Sequence, residues 1–361
     1  MERPLPSRLV AEIPSLVPFV APEALEAQLG VRFRLRLGAN ESAFGPSPRA
    51  LAAIQETSKR ASSYGDPQSS ALRTALAEIH GVEIKNLVVT GGIDEALSLF
   101  CRAILNPGDV AVTTLGSYPT FEFGARGAGA RLERAPYRDD APDLQALSDL
   151  AWKTEAKLVY LANPDNPSGA FSPDGDIQAF RASLPMSCLL LLDEAYIDFA
   201  PPEGRPRFAV DHPGVVRFRT FSKAHGMAGL RVGYAIANAD WIAELDKIRM
   251  HFGVNALGQA AALASLNDPD HLAWVVDETL RQRGRLAEIG GRLGFVPLPS
   301  ATNFVTFATE SRERAEALLD GLLRQGVFVR KPAAPPLDRC VRISVGQAED
   351  LDLLAEILTS I

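Results

Sequence analysis

The sequence predicts an α/β protein with three layers, in which helices cover both faces of a mostly parallel sheet. Residues 157–162 and 188–192 are predominantly apolar runs, the pattern of strands that are buried on both faces. Between such runs lie helical stretches such as 94–104, where the apolar residues recur on one helical face. Strands that alternate with helices in this way are typical of parallel sheets with helices on each side.

A change in sequence pattern after about residue 238 predicts a second, smaller α/β domain. We expect the strands of the main sheet at 87–90, 109–115, 130–136, 157–162, 188–192 and 215–221. Beyond the main sheet, we expect helices at 241–252, 269–293 and 348–361, and short strands at 303–307, 326–330 and 340–345. The predicted domains are an arm over residues 1–39, a large domain over 40–240 and a small domain over 241–361. The arm has five prolines before position 23, so we expect it to be extended and to pack with the small domain or a partner subunit.

Composition indicates an ordinary globular protein of 361 residues, with 47% apolar and 22% charged residues. Its formal net charge of −7 argues against a nucleic-acid partner, because no general basic field would hold a polyanion. Cys101, Cys188 and Cys340 form no CxxC pair, and the N-terminus lacks the apolar core of a signal peptide. No apolar run is long enough to cross a bilayer, and the histidines lack metal-ligand spacing. We therefore expect a cytoplasmic protein without a membrane segment or a metal.

Asp193 follows a buried strand directly, and a carboxylate in that position is costly unless it meets a cation or hydrogen-bond donors. Such a group is suited to hold a protonated ring nitrogen, and Tyr196, three residues later, is suited to donate a hydrogen bond nearby. The alternative is an ordinary helix N-cap, a role that aspartate favours at strand-to-helix turns.

Lys223 lies at the end of the predicted strand 215–221, among small residues. A partly desolvated lysine near cationic neighbours has a lowered pKa and forms Schiff bases readily. Ser222 and Arg231 flank it, and both side chains suit a phosphate group. The alternative is a solvated surface lysine, the usual role of this residue type.

Two loops add weaker signals. Asn166 lies in an Asn-Pro-rich loop after the strand that ends at Ala162, where its amide is suited to bond a ring hydroxyl; plain turn chemistry is the alternative. Gly92 precedes the predicted helix 94–104, and free backbone N–H groups at a helix N-terminus bind phosphate. Glycine pairs are common, so this second signal is weak by itself.

Together, these segments resemble the pyridoxal-phosphate-dependent aminotransferases of fold type I, class I/II. The motifs that carry the resemblance are Asn-Pro-x-Asn-Pro-x-Gly from residue 163, Asp-x-x-Tyr from residue 193 and Ser-Lys-x-x-Gly-x-x-Gly-x-Arg-x-Gly-Tyr from residue 222. The similarity extends from about Leu37 to the C-terminus. Within the family it is greatest to the histidinol-phosphate aminotransferases, whose start resembles the segment Leu-Gly-Ala-Asn-Glu-Ser from residue 37.

The resemblance implies a catalytic role for several residues. Lys223 would carry pyridoxal phosphate as an internal aldimine and move the proton between substrate and cofactor. Asp193 would keep the pyridine nitrogen protonated, which makes the ring an electron sink. Asn166 and Tyr196 would bond the ring oxygen, and Tyr118 would stack on the ring face.

The resemblance also implies which residues bind the phosphate and the substrate. The phosphate would rest on the backbone of Gly92 and Ile93, with Ser222, Arg231 and Tyr64 of the partner subunit. The residues implied for the substrate are Asn40, Asn166 and Arg342, of which Arg342 would clamp a carboxylate; a surface strand arginine is the alternative. Arg330 is a candidate second anion contact in substrate binding, with a solvated arginine as the alternative.

The implied activity is transamination through a pyridoxamine phosphate intermediate, carried out by a homodimer. The expected amino donor is histidinol phosphate and the expected acceptor 2-oxoglutarate, giving imidazole-acetol phosphate and glutamate in histidine biosynthesis. Three alternatives remain open: an aromatic amino acid aminotransferase, an enzyme like the threonine-phosphate decarboxylases, and a protein that binds the cofactor without turnover. Release of carbon dioxide without amino-group exchange would distinguish the decarboxylase.

Overall fold

A computed structural model describes residues 4–14 and 20–361 of the chain. The predicted arm over residues 1–39 includes both gaps, so residues 1–3 and 15–19 lie outside the described part. The described strands, in chain order, are β1 (Leu35–Arg36), β2 (Leu87–Thr90), β3 (Val110–Thr114), β4 (Arg131–Ala135), β5 (Tyr137–Arg138), β6 (Ala141–Pro142), β7 (Leu158–Ala162), β8 (Leu189–Asp193), β9 (Val215–Thr220), β10 (Gly233–Ile236), β11 (Val296–Pro297), β12 (Phe304–Ala308), β13 (Val327–Phe328) and β14 (Cys340–Ser344).

The helices occupy most of the sequence between these strands. In chain order they are α1 (Arg8–Glu12), α2 (Pro22–Leu29), α3 (Pro48–Ser58), α4 (Ser70–His80), α5 (Ile93–Ile104), α6 (Pro119–Gly127), α7 (Leu144–Lys153), α8 (Asp174–Ser183), α9 (Ala239–Asp246), α10 (Ala256–Leu266), α11 (Pro269–Arg292), α12 (Arg312–Arg324) and α13 (Ala348–Thr359). Among the described residues, none of these helices combines the length and the apolar character needed to cross a membrane.

The central sheet has seven strands in the order β2-β10-β9-β8-β7-β3-β4. Strands β3, β4, β7, β8 and β9 pair in parallel, and β10 pairs antiparallel to both of its neighbours, β2 and β9. Strand β2 therefore runs in the same direction as the parallel strands. The carboxyl ends of all strands except β10 meet at one edge of the sheet, which is where α/β proteins place their functional groups.

Alternate residues of the buried strands pack against helices on opposite faces of the sheet. Leu191 of β8 lies in one apolar cluster with Phe100 of α5 and Phe121 of α6. Leu190, its neighbour in the chain, lies in a second cluster with Ile177 of α8. Each fully buried side chain of this size stabilises the fold by roughly 1.5–3 kcal/mol. The predicted three-layer, mostly parallel fold is confirmed.

The C-terminal part forms a separate antiparallel sheet with strand order β11-β12-β14. Its apolar core includes Val305, Leu322 and Leu354, and Leu35 from β1 belongs to the same cluster. Strand β1 pairs in parallel with β13, matching Leu35 to Val327. The last part of the predicted arm therefore packs with the C-terminal sheet. The arm itself contains the short helices α1 and α2 and is not wholly extended; the domain boundaries stay a prediction.

Two predicted elements are shorter in the structure. The helix expected over 241–252 is α9, which ends at Asp246; near the end of the expected range, Met250 is 75% exposed and Phe252 is 55% exposed. The strand expected over 326–330 pairs with β1 only at Val327–Phe328. Arg330 forms an isolated bridge with Arg342 instead. This stretch therefore pairs with β1 at its start and with β14 at its end.

Candidate active site

The carboxyl end of β8 presents a buried carboxylate whose partners are neutral. Asp193 Oδ2 accepts a hydrogen bond from the Tyr160 hydroxyl at 2.7 Å, and Oδ1 accepts one from the Ala195 backbone N–H at 2.9 Å. Burial raises the pKa of Asp193 from its ordinary value to about 6, and the Tyr160 hydrogen bond opposes that rise. This group would gain most from a cation, because a nearby positive charge would favour its ionised form.

Lys223 follows β9 and is half-buried beside the end of β8. Its Nζ donates to the Asn40 carbonyl oxygen at 2.9 Å and lies 5.4 Å from the centroid of the Tyr196 ring. Asn40 in turn donates from Nδ2 to the Tyr196 hydroxyl at 2.9 Å. The structure therefore brings together three residues that the sequence implicated separately. We call Asp193 and its hydrogen-bond partner Tyr160 the ring corner.

Asn40 is held in place by the C-terminal sheet. Its backbone N–H donates to Ser344 Oγ at 2.9 Å, and Asn303 Nδ2 donates to its carbonyl oxygen at 3.1 Å. Asn40 has a φ of +53°, a left-handed conformation that asparagine tolerates better than most residues. Sequence reasoning missed Asn303 and Ser344 as site residues, because both look like ordinary ends of predicted strands.

Arg342 on β14 reaches the loop that carries Asn166. Its Nη1 donates to Asn166 Oδ1 and its Nη2 donates to the Gly38 carbonyl oxygen at 3.1 Å. The guanidinium lies 5.2 Å from the centroid of the Phe304 ring, and burial lowers the pKa of Arg342. Its Nε is buried without a hydrogen-bond partner among the described residues. An anion bound here would satisfy that donor.

Arg330 is the backbone neighbour of Arg342 but directs its side chain elsewhere. Its Nη2 donates to the Val20 carbonyl oxygen at 2.7 Å, and its guanidinium lies 4.9 Å from the centroid of the Phe328 ring. Burial lowers the pKa of Arg330 as well. Its expected role in substrate binding stays a prediction.

A second group of residues, which we call the phosphate corner, comprises Gly92, Ile93, Ser222 and Arg231. Gly92 is the N-cap of α5 with a φ of +87°, and Ile93 is the first helical residue. Arg231 Nη1 lies 3.5 Å from Ser222 Oγ, and Nη2 lies 3.3 Å from Asp94 Oδ2. The Arg231 guanidinium lies against Gly92, so a side chain there would displace it, and the φ of Gly92 lies in the region that favours glycine. Helix N–H groups, a hydroxyl and a guanidinium together suit a phosphate.

The two remaining predicted residues, Tyr118 and Tyr64, lie in different surroundings. Tyr118 is the N-cap residue of α6, and burial, followed by the nearby Asp94 carboxylate, raises its pKa. Tyr64 is 84% exposed and its ring packs on Phe252 at 4.7 Å between centroids, so the structure does not bring it to the other site residues within one chain. Its expected position across a subunit interface stays a prediction.

Sequence reasoning also missed Tyr160 and Asp94. Tyr160 lies in the middle of an apolar strand and looks like a core residue, and Asp94 looks like an ordinary acidic residue in the first turn of a helix. The completed arrangement fits a small molecule with a protonatable ring and a phosphate, held beside an amine. The carboxyl at one end favours a cationic ring nitrogen, and the donors at the other end favour an anion.

Comparisons with known proteins agree with this chemistry. The model of the aminotransferase class I and II family matches residues 34–358. A histidinol-phosphate aminotransferase of Erythrobacter litoralis is 38% identical over 328 residues, covering 89% of each chain. One of Roseiflexus castenholzii is 35% identical over 362 residues, covering 98% of this chain and 96% of the relative. The crystal structure of histidinol-phosphate aminotransferase from Sinorhizobium meliloti in complex with pyridoxal-5'-phosphate superposes with a TM-score of 0.93 at 41% identity, covering 98% of this chain and 97% of that one.

Proposed function

This chain belongs to the aminotransferase class I and II family, and we propose that it transfers the amino group of histidinol phosphate to 2-oxoglutarate. The products are imidazole-acetol phosphate and glutamate. The observation that carries the choice of substrate is the likeness, over 98% of the chain and at 41% identity, to a solved histidinol-phosphate aminotransferase. The enzyme is a transaminase that depends on pyridoxal phosphate.

The residues at the site fit this cofactor. Asp193 would face the ring nitrogen, since its buried carboxyl has a raised pKa and neutral partners that a cation would complement. Asn166 and Tyr196 would bond the ring oxygen, and Tyr118 would lie against the ring face. The phosphate would occupy the phosphate corner, where the Arg231 guanidinium already lies against the glycine at the start of α5.

The bound cofactor supplies an electron sink for negative charge that develops at the substrate α-carbon. Lys223 Nζ would take the proton from that carbon and pass it to C4′ of the cofactor. In the second half of the reaction it would carry a proton from C4′ back to the substrate α-carbon. The Asn40 carbonyl oxygen, 2.9 Å from Nζ, keeps the amine at the site, and Asn303 holds that carbonyl from the other side. Arg342 would bind the carboxylate of glutamate or the phosphate of the other substrate, because a guanidinium matches both groups in a bidentate manner.

The experiment that tests this function is the absorption spectrum of the protein loaded with pyridoxal phosphate, before and after addition of L-histidinol phosphate. We expect a visible band that L-histidinol phosphate converts to the spectrum of pyridoxamine phosphate, and recovery of the band with 2-oxoglutarate. Lys223→Ala is the control variant: it should keep the folded circular dichroism spectrum and lose turnover by at least about 10³-fold, since it removes the acid–base group.

Other outcomes of this experiment would redirect the proposal. A band that ignores L-histidinol phosphate but responds to phenylalanine or tyrosine would favour an aromatic amino acid aminotransferase. Carbon dioxide release from L-threonine O-phosphate without amino-group exchange would favour a decarboxylase. Unchanged turnover in Lys223→Ala would contradict the assigned role of that residue.

The assembly and location proposed for this enzyme are a homodimer in the cytoplasm. Tyr64, Met250 and Phe252 are exposed by 84%, 75% and 55%, which supports burial of this surface by a second subunit. The three cysteines are free and buried, in keeping with a reducing compartment. Analytical ultracentrifugation should give twice the chain mass, and Tyr64→Phe, which removes a phosphate donor, should weaken cofactor binding without changing that mass.

A further inference from the structure

The hairpin of β5 and β6 contacts the loop that carries Asn166, the Asn166 loop, through one buried tyrosine. The Tyr137 hydroxyl lies 3.1 Å from both Oδ1 and Oδ2 of Asp165. Asp165 directly precedes Asn166, the residue proposed to bond the ring oxygen. Neither Tyr137 nor Asp165 takes part in the chemistry assigned above.

The Asp165 carboxylate also bonds Ser168, three residues further along the same loop. Its Oδ2 accepts from Ser168 Oγ at 2.6 Å and from the Ser168 backbone N–H at 3.0 Å. Burial raises the pKa of Asp165, and the hydrogen bonds from Ser168 and Tyr137 oppose that rise. Without the Tyr137 hydroxyl, this buried carboxylate would lose a donor to one of its two oxygens, which is costly in a place that water does not reach.

The same tyrosine, and Asp140 near it, contact the C-terminal part of the chain. The Tyr137 side chain packs in a cluster with Ala308, Leu337 and Cys340. Next to it, Arg339 Nη2 pairs with Asp140 Oδ2 at 2.8 Å. The hairpin thus lies between the Asn166 loop and the start of β14, the strand that carries Arg342.

We propose that Tyr137 is a positioning residue that sets the Asn166 amide through Asp165. Packing against the C-terminal sheet holds the Tyr137 ring in place. The Tyr137 hydroxyl then holds the Asp165 carboxylate, and this carboxylate holds the turn that presents Asn166 to the cofactor. This inference rests on the proposed function only in that the protein binds pyridoxal phosphate; it does not depend on the identity of the amino donor.

The test compares two Tyr→Phe substitutions, each of which removes one buried hydroxyl at a different position in the fold. Tyr137→Phe removes the hydroxyl beside Asp165, and Tyr234→Phe removes one that bonds His80 Nε2 at 2.9 Å, away from the Asn166 loop. Both tyrosines are 7% exposed, so the two substitutions remove hydroxyls from side chains of equal burial. Only Tyr137→Phe should raise the apparent Kd of the apoenzyme for pyridoxal phosphate, by about fivefold, and move the pH midpoint of the visible band.

A second variant keeps the proposal testable if Tyr137→Phe folds poorly. Asp165→Asn retains one acceptor for Ser168 and should shift the affinity and the midpoint in the same direction. Unchanged values in the folded variants, or equal changes in Tyr234→Phe, would overturn the assignment. A wild-type protein that takes up no pyridoxal phosphate would instead contradict the proposed function.

Discussion

The ring corner and the phosphate corner lie at the same edge of the sheet but differ in exposure and in the charge of their partners. Asp193, in the ring corner, is 5% exposed and bonded to neutral donors. The Arg231 side chain, in the phosphate corner, is 47% exposed and pairs with Asp94, which is 40% exposed. One corner holds a buried charge that lacks a counter-ion, and the other holds a solvated charge that already has one.

This difference predicts that one corner mainly affects the reaction rate and the other mainly affects cofactor affinity. Electrostatic interactions are strong where water is excluded and weak where solvent screens them. A change at the buried carboxyl should therefore act mainly on the rate of the reaction. A change at the exposed guanidinium should act mainly on the affinity for the cofactor, because its contact with the bound phosphate is present both before and during the reaction.

The largest expected effect is on turnover in Asp193→Asn. The amide oxygen still accepts from the Ala195 N–H, and Nδ2 can donate to the Tyr160 hydroxyl oxygen. The neutral amide cannot hold a proton on the ring nitrogen, so the electron sink weakens. We expect kcat to fall by about 10³-fold while KM changes little, since the lost interaction acts on the transition state. Steady-state kinetics at saturating cofactor would measure this. A variant with near-normal kcat would show that the ring nitrogen does not depend on Asp193.

The second effect is on the stability of the cofactor-free protein. The carboxyl of Asp193 has a pKa of about 6 in the folded chain and 3.8 as its ordinary value. The folded state therefore binds this proton more tightly than the unfolded state, so stability falls as the pH rises from about 4 to about 6 and remains lower above that. Relative to wild type, the free energy of unfolding of Asp193→Asn should therefore increase by about 2 kcal/mol between pH 4 and pH 7.5.

Thermal denaturation of both cofactor-free proteins across this pH range would measure that gain. The difference in Tm between Asp193→Asn and wild type should widen as the pH rises. A difference that stays constant with pH would mean that the carboxyl is not desolvated in the free enzyme.

The third effect is on cofactor affinity in Arg231→Gln. Loss of a charge-assisted contact should raise the apparent Kd for pyridoxal phosphate by about tenfold, with kcat nearly unchanged at saturating cofactor. Titration of the apoenzyme by absorbance would check this. Asp94→Asn is the matched control, because it removes the competing carboxylate from the same corner and should leave the affinity equal or tighter. Equal weakening in both variants would point to a shared structural defect.

The smallest effect is expected for Tyr160→Phe, which removes a hydroxyl from the ring corner. The hydrogen bond from Tyr160 lowers the pKa of Asp193, so its loss should raise that pKa further. We expect kcat to fall by about fivefold and the acidic limb of the pH–rate profile to move to higher pH. Tyr234→Phe should leave that limb in place; a shift in both variants would argue against a local cause.

The residues at the strand ends are predictable from the sequence because each follows a recognisable buried strand. Asp193 ends β8, and Lys223 comes three residues after the end of β9. Parallel strands bring such ends to one edge regardless of the details of packing. The three-layer fold is predictable for the same reason, since the apolar runs and the helical periodicity are both local patterns.

The contacts that hold these residues were not predictable. Asn40 meets Ser344 across 304 positions of sequence and Asn303 across 263. Tyr160 occupies a strand position whose neighbours are all apolar, and nothing in that pattern indicates that its hydroxyl meets a carboxylate on the next strand. The early end of α9 at Asp246 was also missed, because exposure beyond that point depends on what the rest of the chain covers.

The sequence by itself therefore determined the fold class, the order of the reactive groups and the edge of the sheet where they gather, because local patterning specifies strands, helices and their ends. Only the tertiary structure decided the partner of each group: a neutral hydroxyl for Asp193, a backbone carbonyl for Lys223 and a carboxylate for Arg231. The physical reason is that the protonation state and the strength of a charged group depend on its burial and its nearest donors. In this chain those neighbours come from segments far apart in sequence.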